Sequence, residues 1–340
     1  MTTPQSQGKG AGGAGKTTAF GKLRRSLSGR AHWALGATAV ALATWTGTLR
    51  AGTIYVPNYS FESPVVPEIF PYATNALDEW EESPQPSDYD PAQNYDTPWS
   101  YLLGTFYNVP FPGSYIDNVD GVQAAFLQAY PEVGIFQDYN SIGGTNTVPD
   151  HAFNATFNVG KAYTLTVGLT SSSDEPLTPG STLQLSLYYR DKASNQVIVA
   201  SNNVAYDPNV FTNLTQLIDF QVQVPGVKAT DPWAGQNIGI QLLCTPSIEL
   251  AGGYWDVDNV RLVETTALNL VHPAHTSGQL QFTVQSEPNV VFQIMATTNL
   301  SLPVTNWTRL ATLTNTTGSL PYMDQSAALA RRFYMAQQLR

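Results

Sequence analysis

The 340-residue sequence predicts an all-β protein whose strands form facing antiparallel sheets. Almost every periodic segment after residue 51 alternates apolar and polar residues with a period of two, which is typical of strands with one buried face. Segments rich in Gly, Pro, Asn and Asp, such as SSSDEPLTPG, separate these strands and favour turns. No apolar stripe of helical length follows residue 51. Short strands with this punctuation indicate a β-sandwich.

Residues 1–51 are predicted to be a signal peptide with an extended basic n-region. Paired arginines, Arg24 and Arg25, precede an apolar run that ends near Leu49 and contains no acidic residue. This order is typical of a secretory signal. An uncleaved membrane anchor is the alternative, because the run approaches the length of a membrane span. We therefore expect a secreted, extracellular or cell-surface protein, with the periplasm as a further location.

The same leader contains a phosphate-loop pattern in the stretch KGAGGAGKTT, formed by Gly10, Gly15, Lys16 and Thr17. Such a loop binds phosphate only where a buried strand leads into it and a helix leaves it. The preceding MTTPQSQG is too short and too polar for that strand. We interpret the match as a coincidence of composition.

The distribution of charged residues also changes at residue 51. Residues 1–51 hold seven of the 16 basic residues and no acidic residue, which leaves nine basic against 26 acidic residues, a net charge of −17. Such a surface repels nucleic acid and anionic lipid. We expect no nucleic-acid partner and no membrane span once the signal is removed.

The alternation predicts which residues face the core, and its interruption predicts a domain boundary. In AYTLTVGL one face consists of Tyr163, Leu165, Val167 and Leu169. Residues 52–265 have the length of one large sandwich, and residues 266–340 carry the strand signals of a small C-terminal β domain. Between them ETTALNLVHPAHTSG breaks the pattern, so its histidines, His272 and His275, are interpreted as linker residues.

The single cysteine, Cys244, excludes a disulfide bond within the chain. It follows Ile238, Ile240 and Leu242 in phase, so it is predicted to face the core. A reactive thiol is the alternative.

Three landmarks resemble secreted bacterial proteins with a galactose-binding-like jelly roll, which is related in architecture to carbohydrate-binding modules. The landmarks are NYSFES near the start, DGVQAAFLQ in the middle and WDVDNVRL at the end of residues 52–265. The resemblance implies a jelly-roll β-sandwich. It also implies a structural calcium ion where the first and last strands meet, with Glu62 and Asp256 or Asp258 as oxygen ligands.

Val257 is in phase with the core but Val260 and Leu262 are in the opposite phase, which predicts a β-bulge near Asp258 and Asn259. The alternative to the calcium ion is that Asp258 and Asn259 cap this bulge and hydrogen-bond to the turn around Asn58.

The C-terminal residues resemble a short β module that ends many exported bacterial proteins. The residues that carry this resemblance are Thr298, Asn299, Leu300, Trp307, Asp324, Arg332, Phe333 and Tyr334. No function is implied beyond a place at the end of surface or secreted chains.

Residues 75–101 form an acidic segment rich in aromatic residues and proline. Flat aromatic faces pack against pyranose rings, and short polar side chains recognise hydroxyls. The predicted carbohydrate-binding surface consists of Trp80, Tyr89, Tyr95, Trp99 and Tyr101. The alternative is that Trp80 and Trp99 fill the core beneath a long loop.

The sequence contains none of the common hydrolase motifs. A glycosidase needs two carboxyl groups at a fixed separation, and the crowded acids of DEWEES do not define such a pair. The sequence contains no Gly-x-Ser-x-Gly elbow and no His-Glu-x-x-His helix. The sequence therefore favours a secreted, non-catalytic protein that binds a glycan or polysaccharide. A structural or adhesive protein that engages cell-surface protein partners is the alternative, and a glycoside hydrolase is the third hypothesis.

Overall fold

The computed structural model of the protein describes residues 52–94, 96–109, 114–142, 148–276, 279–325 and 332–339. Within these ranges the chain is all-β, which confirms the predicted fold class. The predicted signal peptide, with its phosphate-loop pattern, lies outside the described residues. No helix in the described ranges has the length and apolarity that crossing a membrane requires.

The strands are numbered in chain order. The first twelve are β1 (Gly52–Ile54), β2 (Ala73–Thr74), β3 (Glu81–Glu82), β4 (Leu103–Tyr107), β5 (Gln123–Gln128), β6 (Gly134–Gln137), β7 (Lys161–Ser171), β8 (Thr182–Arg190), β9 (Gln196–Ala205), β10 (Ile218–Val224), β11 (Gly239–Cys244) and β12 (Tyr254–Thr266). The last six are β13 (Asn269–Thr276), β14 (Gln279–Gln285), β15 (Val290–Thr297), β16 (Thr308–Asn315), β17 (Ser319–Asp324) and β18 (Phe333–Gln338). Short 3₁₀ helices span Pro91–Gln93, Trp99–Tyr101, Ile248–Leu250 and Val304–Asn306.

Strands β1 to β12 form a jelly-roll sandwich of two antiparallel sheets. The seven-stranded sheet has the order β10-β7-β12-β5-β4-β2, with β1 paired to β12, and the five-stranded sheet has the order β3-β6-β11-β8-β9. One hydrophobic core contains residues of both sheets, such as Leu165 and Leu127 of the first and Leu185 and Ile240 of the second. Cys244 is fully buried in this core, as predicted. Period-two alternation therefore identified the inward faces correctly.

Strand β12 contains the predicted bulge. Its register against β7 shifts between Asp258 and Arg261, and Asn259 has a φ of +58°. The extra residue rotates Val260 and Leu262 toward the core, where both are buried.

Glu62 of the first landmark fixes the loop that leads into β5. Its Oε1 accepts hydrogen bonds from the backbone N–H groups of Val122 at 2.8 Å and Gln123 at 2.9 Å. Gly121 has a φ of +116°, and a Cβ atom there would lie 2.2 Å from Glu62 Oε1. The Asp-Gly landmark is thus required by backbone conformation and by this close approach.

Strands β13 to β18 form two three-stranded sheets, with the orders β13-β14-β17 and β16-β15-β18. They share a separate core of Phe282, Val284, Phe292 and Ile294. In this region the buried Asp324 carboxylate accepts hydrogen bonds from Arg332 at 2.8 Å and Tyr334 at 2.7 Å. Three landmark residues of the C-terminal resemblance, Asp324, Arg332 and Tyr334, therefore connect the end of β17 to the start of β18.

The interpretation of VHPAH as a linker is wrong, because these residues belong to β13. Pro273 lies where the register against β14 shifts, between Val271 and Ala274. Strand β13 is also at the edge of its sheet. Proline lacks a backbone N–H and is tolerated at bulges and on edge strands, so the strand continues through it.

Candidate active site

An open cleft of about 260 Å³ lies on the seven-stranded sheet, on the face that points away from the core. Strands β4, β5 and β12 supply its floor, and segments near β2, β4 and β7 supply its rim. Its lining is Pro71, Tyr72, Ala73, Phe106, Tyr107, Asn108, Val109, Ser114, Phe126, Ser172, Ser173, Asp174, Tyr254 and Asp256. The volume is near the lower end of small-molecule pockets, which span roughly 300–1,000 Å³.

Strand alternation directs two β12 side chains into the cleft. Trp255 and Val257 are fully buried in the core, so Tyr254 and Asp256 point to the opposite face. In the ladder Asp256 lies opposite Phe126 of β5. The cleft floor is therefore a direct consequence of β-sheet register.

Aromatic rings are prominent in the lining of the cleft. They belong to Tyr72, Phe106, Tyr107, Phe126 and Tyr254. The rings of Phe126 and Tyr254 meet edge to face, with centroids 5.7 Å apart and an interplanar angle of 79°. Such walls favour flat apolar molecules and organic cations.

Asp256 is a buried acid in this aromatic setting, since only 8% of it is exposed. Burial and, to a smaller extent, the nearby Asp174 carboxylate together raise the pKa of its carboxyl group to about 8. The described residues supply no hydrogen bond to this carboxyl group. Asp256 therefore carries a proton at neutral pH, and a neutral carboxylic acid beside a ligand is suited to general acid catalysis.

Asp174 provides the second carboxyl group of the cleft. It lies in the turn after β7, and its Oδ1 accepts a hydrogen bond from the Ser114 hydroxyl at 3.1 Å. Unlike Asp256, it is exposed. No lining residue from the described ranges is basic. The cleft is thus aromatic and acidic.

The predicted carbohydrate-binding aromatics do not form an exposed surface. Trp80, Tyr89 and Trp99 are buried in the sandwich core, and only Tyr101 is exposed. Tyr95 lies outside the described residues. The structure therefore supports the alternative in which the tryptophans fill the core beneath the loop.

Polar contacts explain why the two tryptophans are buried here. The Trp80 Nε1 donates to the backbone oxygen of Asn58 at 3.1 Å, and the Trp99 Nε1 donates to the backbone oxygen of Ser83 at 3.2 Å. Each indole N–H is satisfied, so burying these large rings leaves no unpaired donor.

We expect Trp99→Phe to lower the free energy of unfolding by about 1–3 kcal/mol, because it removes a buried hydrogen bond and part of a packed ring. Tyr101→Ala changes an exposed side chain in the same 3₁₀ helix and should stay within about 0.5 kcal/mol of the parent. Urea unfolding of both variants checks this. Equal losses would contradict the assignment of Trp99 to the core.

The predicted calcium site combines Glu62 with Asp256 or Asp258, and the structure places Glu62 close enough to Asp258 for its charge to add to the effect of burial on the pKa of the Asp258 carboxyl group. Asp256 faces the cleft, whereas Glu62 binds the two backbone N–H groups described above and Asp258 Oδ2 accepts from the backbone N–H of Asp120 at 2.6 Å. Among the described residues no group of three or more His, Cys, Asp or Glu could hold a metal ion. Calcium takes 6–8 oxygen ligands, which include backbone carbonyl groups as well as carboxylates, so the calcium ion stays a prediction.

Sequence reasoning missed most of the cleft. Phe126 and Tyr254 alternate along their strands with residues that face the core, and only those core residues were assigned from the sequence. Asp174 lies in a Ser-rich turn. Asp256 was noticed, but as a metal ligand. The usable signal was the alternation YWDVD, which places a tyrosine and two acids on the face opposite the core.

Comparison with known proteins gives one family match. A family model described as HpiC1-like, HpiC1 cyclase, matches residues 52–263. A search of curated proteins gives no match.

Solved structures give further similarities. A cyclase from Fischerella sp. TAU is 21% identical, with 65% of this chain and 100% of that chain covered and a TM-score of 0.45. A cyclase from Fischerella sp. TAU in complex with 4-(1H-indol-3-yl)butan-2-one is 20% identical, with 64% and 100% covered and a TM-score of 0.44. The xylan-binding domain of Paenibacillus barcinonensis Xyn10C is 8% identical, with 49% and 83% covered and a TM-score of 0.28.

The family match contradicts the function expected from the sequence. The matching model describes cyclases, which are catalysts, so the prediction of a non-catalytic carbohydrate-binding protein is wrong. The structural or adhesive alternative and the glycoside hydrolase hypothesis fall with it.

Proposed function

Since a family model matches most of the chain, the protein belongs to the HpiC1-like family, and we propose that it is a cyclase that isomerises a small molecule in the cleft, with Asp256 as the proton donor. The observation that carries this proposal is a buried carboxyl group with a raised pKa that lines an aromatic cleft. The proposed partner is therefore a small-molecule substrate and not the glycan that the sequence led us to expect.

The proposed reaction begins when the Asp256 carboxyl group gives its proton to an electron-rich double bond. The electron pair of that double bond forms the new C–H bond and leaves a carbocation on the neighbouring carbon. A second double bond of the same molecule attacks this carbon, which closes the ring. This attack leaves the positive charge on the other carbon of the second double bond. A carbon next to that position then loses a proton to the Asp256 carboxylate, the electron pair of the C–H bond forms a new double bond, and the acid is restored. Substrate and product are isomers, and no other reactant is consumed.

The cleft residues suit each step. Aromatic faces stabilise carbocations through their quadrupoles, and Phe106, Phe126 and Tyr254 present such rings. An apolar setting also keeps water from capturing the cation. The Asp174 carboxylate, close enough to raise the pKa of Asp256, keeps the acid protonated before the reaction.

The test is an isomerisation assay. We expect the purified chain to convert at least one member of a panel of uncharged molecules, each with an aromatic ring and two alkenes, into a cyclic isomer of unchanged mass. In D₂O the product should carry deuterium at the protonated carbon, because the Asp256 proton exchanges with solvent. Liquid chromatography with mass spectrometry measures both. A product without solvent deuterium would contradict proton-initiated cyclisation.

Export remains a proposal that rests on residues 1–51. Fractionation of a bacterial host that produces the full chain tests it, since export predicts a shortened chain outside the cytoplasm.

A further inference from the structure

We infer that the cleft recognises organic cations, so that its substrates carry a positive charge or acquire one during the reaction, and that the Asp174 carboxylate supplies this preference. The inference rests on the proposed function and extends it to the charge class of the ligand. Three independent features of the cleft carry it: its aromatic walls, its acidic groups and the absence of basic groups from its described lining.

The acidic groups surround the aromatic walls. Asp174 lies on the lining itself, fixed by the Ser114 hydroxyl at 3.1 Å. Glu175 is next in the chain, and its backbone oxygen accepts the Tyr254 N–H at 3.1 Å. Burial raises the pKa of the Tyr107 hydroxyl, and the Glu68 carboxylate adds to that effect. Burial also raises the pKa of the Tyr254 hydroxyl, and the Glu175 carboxylate adds to that effect. Both carboxylates therefore lie near residues that line the cleft.

Uncompensated acids at an aromatic surface have a defined preference. A cation over an aromatic face gains from the ring quadrupole, and a carboxylate within a few ångströms adds a Coulombic attraction. A neutral ligand of the same shape gains neither. Since no described lining residue is basic, no cationic side chain competes for these groups.

The probes that test this inference are phenyltrimethylammonium and tert-butylbenzene, which have the same shape and differ in charge. Ligand-observed NMR titration of the full chain at pH 7 measures both dissociation constants. We expect the cation to bind about tenfold or more tightly than the neutral probe. Equal affinities, or tighter binding of tert-butylbenzene, would overturn the inference.

Two variants locate the preference. Asp174→Asn should weaken the cation by roughly threefold to tenfold and leave the neutral probe unchanged. Phe126→Ala should weaken both probes, because it removes part of the wall. The matched control is Asp88→Asn, since Asp88 is also exposed and does not line the cleft. An Asp174→Asn effect no larger than that of Asp88→Asn would also overturn the inference.

These outcomes are separate from those of the isomerisation assay. Charge selectivity without any conversion would contradict the cyclase proposal alone. Proton-initiated conversion without charge selectivity would contradict the charge inference alone.

Discussion

Asp256→Asn is expected to lower the isomerisation rate by about 10²–10⁴-fold, the usual contribution of a general acid. Asparagine has nearly the shape of aspartic acid, but its amide cannot act as a proton donor near neutral pH. The substitution should therefore leave the cleft intact and remove only the chemistry. Initial rates of product formation, measured at saturating substrate, check the result.

The matched control for this experiment is again Asp88→Asn, which should retain the parent rate. Both variants should unfold at about the parent midpoint or above it at pH 7, which separates lost chemistry from lost structure. The parent rate should also fall as the pH rises through about 8, because the Asp256 carboxyl group then loses its proton. An Asp256→Asn variant with more than about a tenth of the parent rate would contradict the role of Asp256 as general acid.

Much of the sandwich was predictable because its physical determinants are local. Alternation in β7 placed Leu165, Val167 and Leu169 on one face, and all three are fully buried. The phase conflict in β12 predicted a bulge, and the register shift between Asp258 and Arg261 confirms it. A strand with one buried face has to show such a pattern.

Long-range packing explains where prediction failed. Trp80 and Trp99 stand in an irregular, polar segment, and only the fold brings them against the core, where backbone oxygens distant in sequence accept their N–H groups. Likewise, VHPAH was interpreted as a linker because the sequence does not reveal that these residues form an edge strand with a register shift. Burial of a loop residue depends on what covers it, and that information is not local.

The candidate site escaped prediction for a related reason. Its residues come from β4, β5, β12 and two turns, so no short motif joins them. The chemistry depends on Asp256 being buried, and burial on the outer face of a sheet requires the rim formed by the segments near Tyr72 and Asp174. Sequence alternation can place an acid on that face, but it cannot show that the face is covered.

Asp256 and Asp258 illustrate how one strand gives two acids different environments. They point to the same side of β12, two residues apart, and burial raises the pKa of each to about 8. Asp256 meets the cleft, where a ligand can take its proton. Asp258 is fully buried near Asp120 and Glu62, whose charges also raise its pKa, and its Oδ1 has no hydrogen-bond partner within the described residues. A destabilising buried acid thus accompanies the one proposed to be catalytic.

Asp258→Asn is therefore expected to stabilise the protein at high pH relative to the parent. In the unfolded chain this carboxyl group titrates at about 3.9, whereas in the folded chain it titrates at about 8. Between these values the folded state holds a proton that the unfolded state has lost. The free energy of unfolding of the parent therefore falls as the pH rises from about 4 to about 8. Asparagine does not titrate, so this loss is absent from the variant.

The stability difference, variant minus parent, should rise between pH 5 and pH 9 by an amount on the order of several kcal/mol, since each unit of pKa shift corresponds to about 1.4 kcal/mol. Urea unfolding in EDTA at both pH values measures it. Both the parent and the variant contain Asp256, so its contribution to the pH dependence of stability cancels in the difference. Asp88→Asn should follow the parent at both pH values. A difference that falls toward pH 9 would contradict the raised pKa. Stabilisation of the parent but not of the variant by added calcium would instead show that a cation neutralises Asp258, as the sequence resemblance implied.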